Sequence, residues 1–80
     1  MSGNNGAAKL LKAGEVAKRF GMLASTIRYY TALGLLKADA HSQGGYNLYD
    51  FDNVKKMIEQ IEMLKKKRYT LDEIKKELVR

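Results

Sequence analysis

Arg28 and Tyr29 stand side by side in the stretch Thr26-Ile27-Arg28-Tyr29-Tyr30-Thr31-Ala32-Leu33-Gly34-Leu35-Leu36. A guanidinium can grip a phosphate or fork onto the O6 and N7 edge of guanine. A phenol hydroxyl can donate to a phosphate oxygen and fix register on a nucleic-acid backbone. Each residue also has a structural alternative: Arg28 can pair with Glu15, and Tyr29 can pack half-buried. Tyr30 is assigned to the core first. Just before them, Ala24 and Ser25 are small enough to approach a base edge or a phosphate, and Thr26 can contact backbone. Other groups of the same chemical kind are Lys18 and Arg19 upstream and His41, Ser42, Gln43 and Asn47 downstream. The run Lys65-Lys66-Lys67-Arg68 is either a binding corner or a solvated helix end favoured by the C-terminal dipole. Nothing in the chain resembles a catalytic constellation: it has no nucleophile–base pair, no metal cluster and no phosphate-cradling glycine loop, so no enzyme activity and no cofactor are expected.

Fifteen Lys and Arg against nine Asp and Glu give the 80 residues a net charge of +6. For one small domain that balance favours polyanionic partners. Cysteine is absent and histidine occurs once, which excludes disulfides and disfavours a structural zinc site. No apolar run approaches the ~20 residues of a membrane span, and no signal-peptide pattern opens the chain. A cytoplasmic protein is the expectation.

The positioning elements follow from periodicity and punctuation. Residues 1–8 lack periodicity and read as a disordered tail; residues 9–80 read as one domain. Lys9-Leu10-Leu11-Lys12 is an edge strand or a simple lead-in. A first helix is predicted over 13–20, with Val16, Ala17 and Phe20 inward and Gly21 at the left-handed position past its end. A second is predicted over 24–33, closed by Gly34, with a weak start because Leu23 occupies the place of a capping Ser or Asn. Two short helices across a glycine-containing turn form a helix-turn-helix, whose second helix can enter a DNA major groove. Residues 35–49 read as a hairpin wing, with Leu35-Leu36-Lys37 and Tyr46-Asn47-Leu48-Tyr49 as its strands; Tyr46 and Tyr49 are expected in the core. Asp50 caps a long helix over 50–67 with Val54, Met57, Ile58, Ile61 and Leu64 on one face. Thr70 and Glu73 form the capping box of a last helix that buries Leu71, Ile74 and Leu78. The fold class is therefore mainly α: a winged helix-turn-helix with a two-stranded wing and a C-terminal helix pair.

Laid out this way, the chain resembles the DNA-binding domain of the MerR family of transcription regulators. The matching pieces are Gly14-Glu15-Val16-Ala17, Thr26-Ile27-Arg28-Tyr29-Tyr30, Gly34-Leu35-Leu36, Gly45-Tyr46, Tyr49 and Thr70-Leu71-Asp72-Glu73-Ile74. The resemblance implies two-fold dimers on inverted repeats in promoters, distortion of the promoter for RNA polymerase, and a phosphate-binding lysine at Lys65, near the helical corner, reinforced by Lys66, Lys67 and Arg68. The chain departs from the pattern at Asn47, where an arginine is common, and at Ala38-Asp39-Ala40-His41, where proline and arginine are common. Arg68 stands where glycine is usual. The long dimerisation helix and sensor domain of the family are not in these residues.

The leading expectation is sequence-specific binding of double-stranded DNA to regulate transcription, by an isolated chain that is monomeric in solution, forms any dimer on DNA or through the apolar residues of its last helix, and acts in the nucleoid with RNA polymerase. Two alternatives carry different jobs. One is an architectural DNA-bending factor resembling the excisionases, which recruits a recombinase. The other is a protein-interaction module that has lost DNA binding, motivated by the missing wing arginines.

Overall fold

The structure is a computed structural model and describes residues 9–79; the segment read as a disordered tail lies outside them. Seven elements follow in order: β1 (Leu10–Lys12), α1 (Ala13–Phe20), α2 (Ala24–Ala32), β2 (Ala40–His41), β3 (Asn47–Asp50), α3 (Phe51–Lys66) and α4 (Leu71–Leu78). The fold is mainly helical, with a small antiparallel sheet in the order β1-β3-β2.

The helices begin and end where local chemistry dictates. Asp50 Oδ1 accepts the backbone N–H groups of Asp52 and Asn53 at 2.9 and 3.3 Å, capping α3. At α4 the exchange is reciprocal: Thr70 Oγ1 accepts from the Glu73 N–H at 3.2 Å, and Glu73 Oε1 accepts from the Thr70 N–H at 2.8 Å. The bond from the Thr70 N–H, with the Thr70 hydroxyl beside it, holds the Glu73 carboxyl below its ordinary pKa of 4.5. Three helices close with the same paired backbone bonds around a left-handed residue. Met22 N–H reaches Ala17 O around Gly21, Leu35 N–H reaches Tyr30 O around Gly34, and Tyr69 N–H reaches Leu64 O around Arg68. Arg68 performs this with φ of +67°, a conformation that costs a side-chain-bearing residue free energy.

The sheet corrects one strand. Leu35-Leu36-Lys37 is not the wing's first strand; Ala40–His41 is, pairing with Leu48 and Asn47 of β3. Leu35 and Leu36 are both buried, which a half-exposed strand with alternating faces does not allow. Their N–H groups are also spent on Tyr30 O, at 2.9 and 3.2 Å. The lead-in at Leu10–Lys12 is a strand and pairs with the other edge of β3, Leu11 facing Tyr49 across the ladder. Asp39 ties the hairpin to α3: its carboxylate accepts the Asp50 N–H at 2.7 Å and the Asn53 side-chain amide at 3.1 Å.

One core joins all of this. Val16 and Ala17 of α1, Ile27 and Tyr30 of α2, and Tyr49 of β3 are buried with Val54, Ile58, Ile61 and Leu64 of α3 and Ile74 of α4. The inward stripe expected for α3 is thus the buried one, with Met57 partly covered. A core of this size contributes only ~3–5 kcal/mol of net stability, so the polar ties around it matter.

Candidate nucleic-acid interface

The inner face of α2 is fastened at three points. Ile27 and Tyr30 are buried. The Thr31 hydroxyl donates to Ile27 O at 2.8 Å and lies 2.8 Å from the hydroxyl of fully buried Tyr49. With Thr31's one proton spent on the carbonyl, the Tyr49 hydroxyl is the donor in that second contact. Lys65 Nζ, from the end of α3, reaches the Tyr30 hydroxyl at 3.5 Å. Fastened so, α2 turns Ser25, Arg28, Tyr29 and Ala32 outward as one exposed arc. Tyr29 is therefore a surface side chain, 53% exposed. Ala24 and Thr26 lie half-buried beside the arc.

Arg28 is not the partner of Glu15. Among the described residues no carboxylate pairs with Arg28. Glu15 Oε1 instead accepts the Lys12 N–H at 3.1 Å and closes the start of α1. Arg28 opens onto a concavity of about 530 Å³ whose walls include Lys12, Glu15, Lys18, Tyr46 and Asn47. Three cations from β1, α1 and α2 thus converge against one carboxylate, beside the wing. A concave strip of that sign attracts polyanions.

Two residues of this strip escape a reading of local pattern. Lys12 arrives there through the pairing of β1 with β3, its Nζ 4.4 Å from the centroid of the Tyr46 ring. Tyr46 was expected in the core and is 60% exposed. The signal was available in strand parity: residues 46 and 49 are an odd number apart, so they face opposite sides of one extended segment.

The other candidates separate. Lys18 lines the concavity, whereas its neighbour Arg19 lies over the Phe51 ring at 5.4 Å, and Phe51 stacks on Phe20 at 5.1 Å. Arg19 and Lys66 border a separate depression lined by Phe20 and Phe51. At the wing, Asn47 lines the concavity and faces the exposed His41 across the ladder. Ser42 holds the tip: its Oγ accepts the Tyr46 N–H at 3.1 Å and its carbonyl accepts the Gly45 N–H at 2.9 Å. Lys65 is half-exposed, 3.9 Å from Glu62 as well as within reach of Tyr30.

A helix-turn-helix with its second helix outward and a hairpin wing at one end is a winged helix-turn-helix, a DNA-binding class. Comparison with known proteins makes the assignment finer. Residues 11–79 match the family described as MerR HTH family regulatory protein. The chain is 39% identical over 57 residues to the HTH-type transcriptional regulator YfmP of Bacillus subtilis, covering 68% of this chain and 41% of that protein. It is 34% identical over 65 residues to the nodulation protein NolA of Bradyrhizobium elkanii, covering 81% of this chain and 29% of that one. It is also 34% identical over 65 residues to the mercuric resistance operon regulatory protein of Bacillus cereus, covering 81% and 48%. Among solved structures, a MerR-family transcriptional regulator from Bacillus cereus superposes with a TM-score of 0.74 at 26% identity, over 90% of this chain and 53% of that chain. The chain belongs to the MerR family and carries its helix-turn-helix DNA-binding domain. It spans less than half the length of these curated relatives. Among the described residues, no helix is long and apolar enough to cross a membrane.

Proposed function

We propose that this chain binds double-stranded DNA sequence-specifically and thereby regulates transcription initiation. The observation that carries the reading is the convergence of Lys12, Lys18 and Arg28 on one concavity beside the exposed arc of α2. In this reading α2 lies in the major groove, with Ser25, Arg28 and Tyr29 toward the DNA and Arg28 the main reader or phosphate clamp. Ala24 lets the helix approach closely, and Thr26 contacts backbone. Lys18 and the wing residues His41, Ser42 and Asn47 follow the neighbouring phosphates. Lys65 and Lys66, at the C-terminal end of α3, hold flanking backbone, and Arg19 reaches it from the far side of α1. The bound form is a two-fold dimer on an inverted repeat, assembled on DNA from monomers, with RNA polymerase as the downstream partner. The setting is the cytoplasm, at the nucleoid. The metal in the name of the mercuric relative is not carried over, since these residues contain no cysteine and a single histidine.

The test is a fluorescence titration against a duplex from upstream of the chain's own gene and a scrambled duplex, at several salt concentrations. Tighter, salt-sensitive binding to the native duplex supports the reading; absence of binding at low salt overturns it. Arg28→Ala is expected to remove the preference for the native duplex. A second reading, an architectural DNA-bending factor that serves a recombinase, draws on the small side chains Ala24 and Ser25 at the start of α2. It predicts equal, salt-sensitive binding to both duplexes.

A further inference from the structure

Leu23 is the most exposed large apolar side chain among the described residues, at 71%. It occupies the N-cap of α2, with φ of −84° and ψ of 142°, and makes no side-chain capping bond. Serine, threonine, asparagine or aspartate at this position would stabilise the helix, so leucine is a poor choice for the fold twice over: it leaves the cap unmade and an apolar surface in water. Its neighbours sharpen the point. Ala24 is small and half-buried, Ser25 is exposed but short, and Arg28 lies a turn further along. Leu23 is therefore the long side chain at the leading end of α2. In a helix-turn-helix that leading end meets base edges in the major groove. The apolar group presented there is the C5-methyl of thymine, and aliphatic contact with it distinguishes thymine from the other bases.

We propose that Leu23 is a specificity-determining residue that reads thymine through its C5-methyl group. The proposal rests on the DNA-binding reading above and adds to it a base identity and the residue that recognises it.

The experiment uses the 80-residue chain and duplexes that it enriches from a random pool. Each enriched duplex is synthesised twice, with thymine or with uracil, which lacks the methyl group. Burying one methyl-sized group corresponds to about fourfold in affinity, from ~0.8 kcal/mol. The expected result is that the thymine duplex binds about fourfold tighter for each methyl contacted, and that Leu23→Ser and Leu23→Ala each abolish the difference. Leu23→Ser restores a capping hydroxyl, so its thermal midpoint is expected to rise while the thymine preference disappears; a merely structural leucine would not separate the two. Equal binding of thymine and uracil duplexes by the unaltered chain overturns the proposal, and so does a preference that persists in both variants. Both results leave salt-sensitive DNA binding intact. Loss of all salt-sensitive binding by the unaltered chain overturns the DNA reading and the proposal with it.

Discussion

Replacing Lys12, Lys18 and Arg28 together by alanine tests whether their convergence matters more than the chain's overall charge. The triple variant lowers the net charge from +6 to +3, three cations fewer in the same sequence. Each phosphate neutralised contributes about 0.9 to the slope of log affinity against log salt, so three contacts account for about 2.7. Between 50 and 200 mM salt, the unaltered chain should then lose about 40-fold more affinity than the variant does. The fold should survive. Lys18 and Arg28 are exposed on helices, where alanine is the best helix former. Lys12 gives up its position over the Tyr46 ring, worth ~0.5–1 kcal/mol at an exposed site. Its backbone N–H still donates to Glu15. The control is a second triple, Lys37, Lys56 and Lys76 to alanine, with the same net charge. All three are exposed, and Lys37 lines a different depression, against Leu78 and Val79. Affinity for one duplex is measured by fluorescence anisotropy at five salt concentrations. A slope that falls by about 2.7 in the first triple and by less than 1 in the control supports the interface. Equal losses in the two would reduce the concavity to net charge and refute the geometric argument.

Three further perturbations follow from the ties around the site. Arg68→Gly relieves the left-handed backbone that closes α3 and is expected to stabilise the domain by ~1 kcal/mol, read as a midpoint rise of about 4–8 °C by circular dichroism; an unchanged or lower midpoint would contradict the strain argument. Glu73's lowered pKa means that its contribution to stability is complete above its ordinary 4.5 and is lost as pH falls through the lower, folded-state value. Glu73→Gln should therefore flatten that acid limb of the stability profile while leaving the shape above pH 5 unchanged. Asp39→Ala removes the acceptor shared by the Asp50 N–H and the Asn53 amide, at an expected cost of ~2 kcal/mol; amide exchange at Asp50 should accelerate, and protection equal to that of the unaltered chain would mean the tie is not holding the wing.

What could be read from the sequence was local. Asp50, the Thr70–Glu73 exchange, Gly21 and Gly34 act on residues within a turn of themselves, and each marks a helix boundary that the structure carries. The misread positions depend on partners distant in sequence. Leu35 and Leu36 look like a strand by composition, but α2 closing onto them buries both at once. Lys12 joins the cationic strip only because β1 pairs with the far edge of β3. Asp39 is the most instructive case. Read against its family, it is a loss, an acid in a region where arginine is common. Its partners lie 11 and 14 residues further on, and with them in view the carboxylate is what joins the wing to the start of α3. The charge forgone there is set against Lys12 and Lys18 at the other side of the wing, one from the strand that completes the sheet and one from α1. The cationic strip is therefore assembled from β1, α1 and α2, not from the wing tip. The variants Asp39→Ala and Lys12→Ala should accordingly separate: the first loosens the hairpin with little change in salt slope, the second lowers the slope by about 0.9 with little change in hairpin protection.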